Sequence, residues 1–202
     1  MGQSGTGKSA SLRNFTEKDA VVINVSGKPF PFRNKLKSVT TDDYEKIKKA
    51  METAPAKTII IDDATYLMTD EFMRMAKVNG FQKFTDMALN FFNLVKFAAD
   101  LPEDKTVYFL GHIEQSDDGR EKFKTIGKLL DEKVTLEGLF TVVLKTVVKD
   151  GKYLFQTHNN GQDTVKSPFG MFEEDLIDND LKAVDKAIRD YWGLDKDGEA
   201  KS

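Results

Sequence analysis

Gly2, Gly7, Lys8 and Ser9 stand in the pattern G-x-x-x-x-G-K-S within the opening residues MGQSGTGKSAS. Glycines at that spacing let backbone N–H groups wrap a phosphate, and the start of a following helix adds positive potential. Lys8 is placed to neutralise the β and γ phosphates of a nucleotide and Ser9 to ligate magnesium. The whole run Gly2, Gln3, Ser4, Gly5, Thr6, Gly7, Lys8, Ser9 and Ala10 is therefore the expected nucleotide contact, with ATP and Mg2+ as ligands. Because so short a pattern also arises by chance, a second element is needed.

KTIIIDDATYLM at 57–68 supplies it: a continuous apolar run of strand-forming residues that ends in two aspartates. Such a run reads as a buried parallel strand with functional groups at its carboxyl end. In a P-loop ATPase this is where a carboxylate holds the magnesium through water. Asp62 takes that role, and Asp63 is able to orient an attacking water. The competing account is that both aspartates cap the helix that follows, since aspartate is a preferred cap residue.

Strand and helix signals alternate around these motifs, which predicts a three-layer α/β fold with a mainly parallel sheet. After a first helix behind the glycine loop, AVVINVSG (20–27) reads as a strand. TDDYEKIKKAMETAP then reads as a helix with an Asp42-x-x-Glu45 capping pattern and a stop at Pro55. Residues 66–100 are expected to be mostly helical with a break near Asn79-Gly80. Their second piece puts Met87, Phe91, Leu94, Val95 and Ala98 on one face, as core rather than a cofactor box. TVYFLGHIEQ (106–115) reads as another buried strand. Asp150-Gly151 between two apolar runs is the strongest hairpin signal, predicting an antiparallel C-terminal addition to the sheet. Leu181, Val184, Ile188 and Tyr191 recur at helical spacing, with Asp178 or Asn179 as cap and Gly193 after the end. One domain over 1–193 and a flexible tail over 194–202 complete the expected organisation.

Composition narrows the function classes. A chain of 202 residues, 40% apolar, has material for one core and hardly enough for two. Thirty basic against thirty-three acidic residues give a net charge of −3, so any contact with nucleic acid must come from a local patch. Zero cysteines exclude disulfides, thiolate metal sites and cysteine nucleophiles, and two histidines leave little for an imidazole site. The apolar runs are short and the N-terminus is polar and glycine-rich, which points to no membrane and a soluble, intracellular protein.

GQSGTGKS, TIIIDDATYLM, FLGHIEQ with the lysine-bearing KFKTIGKLLDEK, and the terminal GQDTVKSPFGMF together resemble the phage-encoded RecA-like ATP-binding proteins of recombination and replication modules. The resemblance spans nearly the whole chain, but only the first two motifs are specific. It implies a RecA-like P-loop domain in the cytoplasm of an infected bacterium, acting on single-stranded DNA as a homo-oligomer beside other phage replication or recombination proteins. It also implies a γ-phosphate-sensing polar residue after the strand that follows Asp62, here His112 or Gln115. Lysines reaching a neighbouring subunit's nucleotide would be Lys124 or Lys128. A histidine satisfied at a strand end and a solvated charged loop are the respective alternatives.

Two departures from the family pattern stand out. RecA-like ATPases usually carry a catalytic glutamate at the end of the strand after the P-loop helix, whereas this chain has no acidic residue from Asp19 to Asp42. Hydrolysis would then lean on Asp63 or Glu114, or be slow. The strand that normally precedes the P-loop is also missing, which raises the expectation of a truncated or misassigned start, or, for a chain native as written, of weak nucleotide affinity. The acid-free stretch carries Lys28, Arg33, Lys35 and Lys37 with Phe30 and Phe32 between them, cations for DNA phosphates and rings for base stacking. A proline-stiffened loop with its phenylalanines turned into the core is the alternative. Three functions remain: a DNA-dependent ATPase, a nucleotide-binding switch or scaffold with little turnover that recruits a replication protein, and a small-molecule P-loop kinase. The last is poorly supplied with arginines for a lid: Arg13, Arg33, Arg74, Arg120 and Arg189.

Overall fold

A computed structural model of the chain describes residues 1–195, so most of the tail expected at 194–202 lies outside the described residues. In chain order the strands are β1 (Ala20–Asn24), β2 (Ser38–Val39), β3 (Thr58–Asp62), β4 (Thr106–Phe109), β5 (Ile113–Gln115), β6 (Glu121–Phe123), β7 (Lys145–Lys149), β8 (Lys152–Gln156) and β9 (Leu176–Asp178). The helices are α1 (Tyr44–Thr53), α2 (Thr65–Arg74), α3 (Gln82–Ala99) and α4 (Leu181–Trp192). Four strands form a parallel sheet in the order β2-β1-β3-β4. β3 is central and buried along its whole length, which is why it carries an unbroken apolar run rather than an alternating one.

Both faces of this sheet are covered. Ile23, Ile59 and Ile61 point into a core with Ile47 and Met51 of α1, Leu67 and Met68 of α2, and Phe91 and Leu94 of α3. Val22, Ile60 and Leu110 point the other way, onto Leu12, Phe15 and the Leu181, Val184 and Ile188 stripe of α4. The period of two in β1 and β3 and the helical period in α3 and α4 thus produce an α/β sandwich of three layers. The break between α2 and α3 falls where Asn79-Gly80 predicts it, with Gly80 at φ 96°. No helix among the described residues is long and apolar enough to cross a membrane.

Four local expectations are corrected. Behind the glycine loop there is no full helix but a 3-10 turn, Ser9–Leu12. The N-cap of α1 is Asp43, whose carboxylate accepts from the Glu45 and Lys46 amides, while Asp42 pairs with Arg74. The N-cap of α4 is Asp180 rather than Asp178 or Asn179, although Gly193 ends that helix in the left-handed conformation as expected. In runs of several cap-competent residues, the one whose backbone is extended at the helix entrance takes the role, and composition does not reveal which. The apolar run 106–115 does not continue as one strand: β4 stops at Phe109, and Ile113–Gln115 turns away to pair antiparallel with β6.

The Asp150-Gly151 turn joins β7 to β8 with both residues at positive φ (52° and 74°), the geometry of a tight two-residue hairpin. The hairpin builds its own antiparallel sheet, β7-β8-β9, rather than extending the parallel one. Met1 and Gly2 link the two sheets. The Met1 amine donates to the Leu144 carbonyl at 2.8 Å, the Thr146 amide donates to Met1 O at 2.8 Å, and the Gly2 amide donates to Gly111 O at 3.1 Å. Gly2 thereby makes a parallel bridge with His112. Beyond them lies an apolar cavity of about 310 Å³, bounded by β4 on one side and Phe140 to Leu144 on the other.

Candidate functional site

The glycine loop sits at the carboxyl end of the parallel sheet and is pinned on both sides. Thr6 Oγ1 lies 2.5 Å from Thr146 Oγ1 and donates to Gln3 O at 2.8 Å. Gly5 and Gly7 have φ of 77° and 101°, and a Cβ on Gly7 would come within 2.9 Å of the Tyr153 ring. Only glycine fits there without strain. Lys8 is buried and turned inward, donating to Gly2 O at 3.0 Å and Gln3 O at 2.8 Å. Burial lowers the pKa of its ammonium from the ordinary value, an effect opposed by Asp63 and Asp62.

β3 delivers the acidic pair to this loop. Ser9 Oγ donates to Asp62 Oδ1 at 3.0 Å, so the two expected magnesium ligands already touch. Burial, and then the charge of Asp63, push the Asp62 carboxyl up to about 6. Neither aspartate caps α2, whose N-cap is Ala64 with no side-chain cap bond. Asp63 instead adopts φ 60°, a costly conformation for a residue with a side chain, and turns its carboxylate toward Ser26, Lys28 and His112. Ser26 Oγ donates to Asp63 Oδ2 at 2.7 Å, Lys28 Nζ lies 3.4 Å from the same oxygen, and His112 Nε2 lies 3.8 Å from Oδ1. His112 Nδ1 is 3.5 Å from Lys8 Nζ, and its ring meets Tyr66 edge-on. Burial and the nearby Lys8 hold the imidazole pKa below its ordinary value, so His112 is neutral at pH 7.

These groups line one pocket of about 400 Å³ together with Ser4, Gly5, Gly7, Ala10, Pro29, Phe30, Pro31 and Tyr153. The loop at 2–10, Asp62, Asp63 and His112 are all expected from sequence, and the fold brings most of them together. Glu114 and Gln115 are not brought in. Glu114 Oε1 accepts from the Thr125 amide at 3.3 Å, and Gln115, exposed on the β5–β6 hairpin, donates to Gly119 O at 3.0 Å. The early end of β4 is the cause, since the turn at Gly111 redirects everything after His112. Lys124 and Lys128 are exposed on the segment beyond β6, Lys128 beside Glu132 at 3.7 Å.

The basic stretch divides. Lys28 belongs to the pocket. Phe30 and Phe32 stack on each other at 5.3 Å and pack half-buried against the α4-side core, as the loop alternative anticipates. Arg33, Lys35 and Lys37 are exposed, with Lys37 in an ion pair with Glu17 at 2.5 Å. Sequence reasoning missed Ser26, Tyr66, Tyr153 and Asn179. The Ser26-Gly27-Lys28 turn directly after a strand was a usable signal, whereas Tyr153 and Asn179 arrive only through tertiary packing. Asn179 is buried against Gly7, and both polar atoms of its side chain lack a hydrogen-bond partner among the described residues. No protein-family model matches the chain, and comparison with curated proteins finds no similar sequence.

The donor set suits a magnesium–nucleotide group. Magnesium keeps most of its waters and takes few protein ligands, so one hydroxyl and one carboxylate at 3.0 Å suffice beside phosphate oxygens. The loop amides and Lys8 are the groups that would donate to a phosphate, although Lys8 here donates to the Gly2 and Gln3 carbonyls of the loop itself.

Proposed function

We propose that the chain is a RecA-like P-loop protein that binds ATP with magnesium and hydrolyses it slowly, acting on single-stranded DNA as a homo-oligomer in phage recombination or replication. The observation that carries the nucleotide reading is the Ser9–Asp62 contact beneath the glycine loop, with Lys8 beside it in one pocket. Ser9 and Asp62 would hold the magnesium, which would supply neutralisation of the phosphate charge. Lys8 leaves the Gly2 and Gln3 carbonyls to bind phosphate. Asp63 orients water in place of the missing glutamate, and neutral His112 senses the terminal phosphate. Arg33, Lys35 and Lys37 form the DNA-facing cations, and Lys124 and Lys128 are the lysines that reach a neighbouring subunit.

A switch or scaffold with little turnover is the second reading. The inward Lys8 and the single 3-10 turn behind the loop favour it, because a phosphate there meets no long helix dipole. A small-molecule kinase is disfavoured, since among the described residues no arginine lines the pocket. The test is ATP hydrolysis in magnesium by the wild type and Lys8→Ala, with and without single-stranded DNA. Turnover that rises with DNA and disappears in Lys8→Ala supports the ATPase. Lys8-dependent binding without turnover leaves the switch. In parallel, reversing Arg33, Lys35 and Lys37 to glutamate is expected to weaken DNA binding and flatten its salt dependence; unchanged binding removes the DNA assignment.

A further inference from the structure

Lys28 is the residue whose sequence context and structural position disagree most. In sequence it opens a basic, aromatic stretch, yet the fold turns it back into the pocket. Asn24, at the end of β1 and buried, is the device: its Oδ1 accepts from the Gly27 amide at 2.9 Å and its Nδ2 donates to Lys28 O at 2.8 Å. Gly27 at φ 66° completes the reversal, and Ser26 ties the turn to Asp63. The Lys28 ammonium ends 3.4 Å from Asp63 Oδ2 and 4.6 Å above the Tyr66 ring.

Lys8 and Lys28 thus flank the Asp63–His112 pair, Lys8 through the imidazole and Lys28 at the other carboxylate oxygen. Ser9 and Asp62 would hold the magnesium of a bound nucleotide, and Asp63, His112 and Lys28 line the same pocket. A terminal phosphate bound in this pocket would share it with the Asp63 carboxylate, a like-charge contact that a cation between the two would relieve. A terminal phosphate also carries more charge and more acceptor oxygens than Asp63, so a mobile ammonium gains by bridging to it. The lysine side chain is 61% exposed, free to make that small movement.

We propose that Lys28 is a second phosphate-binding cation of this pocket, which contacts the terminal phosphate of a bound nucleoside triphosphate and makes the site prefer triphosphate over diphosphate. The inference rests on the reading of residues 2–9 as a phosphate loop. It places a cation in the turn after β1, on the other carboxylate oxygen of Asp63 from His112, and so gives the γ-phosphate a second contact beside His112.

The experiment is calorimetric binding of ATP and of ADP, in magnesium, to the wild type, Lys8→Ala, Lys28→Met, Lys28→Arg and the double variant Asp63→Asn/Lys28→Met, with thermal melts to verify folding. Lys28→Met is expected to weaken ATP about 10- to 100-fold, the worth of a hydrogen bond to a charged group. ADP should change less than about threefold, and Lys28→Arg should keep most of the preference. Equal losses for ATP and ADP, or none, in a folded Lys28→Met protein overturn the proposal. So does recovery of the ATP preference in the double variant, which would make Lys28 a mere neutraliser of Asp63. Failure of the underlying reading is visible separately, in a wild type that binds neither nucleotide or a Lys8→Ala protein that binds both equally well, and it overturns this inference too.

Discussion

The two ends of β3 carry two buried charged clusters about 13 Å apart, and they are built on opposite plans. At the start of the strand, Asp185 of α4 is saturated. Its Oδ1 accepts from Thr106 at 2.8 Å and Tyr108 at 2.7 Å, and its Oδ2 accepts from Thr58 at 2.8 Å and from Arg189 at 3.0 Å. Arg189 in turn spends its remaining N–H groups on Thr58, Thr106, Asp195 and the Asp104 carbonyl. At the far end, Asp62 accepts one side-chain hydrogen bond, Lys8 donates to two backbone carbonyls and reaches the His112 imidazole only at 3.5 Å, and Asp63 holds a left-handed backbone. The first cluster uses its charges to lock α4 across β3 and β4. The second gathers Lys8, Asp62, Asp63 and Lys28 around an open pocket and leaves Asp62 with a single side-chain partner, an arrangement that suits a charged ligand.

The largest effect expected from this contrast is on the closed cluster. Asp185→Ala takes from the buried Arg189 guanidinium its buried counterion, leaving only the exposed Asp195 carboxylate, and should cost about 3–5 kcal/mol in urea unfolding. A cost below about 1 kcal/mol would mean that the network is solvated and the contrast false. The open cluster should respond with the opposite sign. In magnesium-free buffer Asp62→Asn is expected to stabilise the protein at pH 7. The folded-state pKa of about 6 lies above the unfolded value of 3.8, so the native state binds the extra proton. The penalty is absent below about pH 4, grows between about pH 4 and 6, and is complete above that, at roughly 1.4 kcal/mol for every tenfold difference in proton affinity between the folded and unfolded chain. The gain in Asp62→Asn should therefore vanish in melts at about pH 3.5, while magnesium-dependent nucleotide binding is lost.

Gly7→Ala sharpens the comparison at the loop itself. Its φ of 101° and the 2.9 Å approach to Tyr153 should cost about 1–3 kcal/mol and remove nucleotide binding, read by melting and calorimetry together. The smallest effect is that of Tyr108→Phe, which deletes one hydrogen bond to Asp185 and should cost about 1 kcal/mol in the same urea assay. Burial and the Asp185 charge hold the Tyr108 phenol well above its ordinary pKa, so it stays protonated at any working pH.

Much of the open cluster is legible in sequence because it rests on local signals: a glycine loop, an apolar run ended by Asp62 and Asp63, and a histidine at a strand end. The hairpin turn at Asp150-Gly151 and the stripe of α4 are legible for the same reason. The closed cluster is not, because Thr58, Thr106, Tyr108, Asp185 and Arg189 come from three distant elements and none has a spacing that announces a partner. Lys28 is a mixed case. Its basic neighbours suggest a surface, and only the Asn24 amide, acting four residues away, reveals that the chain reverses. The same long-range logic hides the end of β4 at Phe109, which removes Glu114 and Gln115 from the pocket.

The most direct test of the central claim is equilibrium binding of ATP to the wild type and to Lys8→Ala, each with magnesium and with EDTA. A wild type that binds only with magnesium, and a folded Lys8→Ala protein that has lost at least about tenfold in affinity, is the result expected of the Lys8, Ser9 and Asp62 arrangement. Magnesium-independent binding, binding equal in Lys8→Ala, or none in the folded wild type would contradict it.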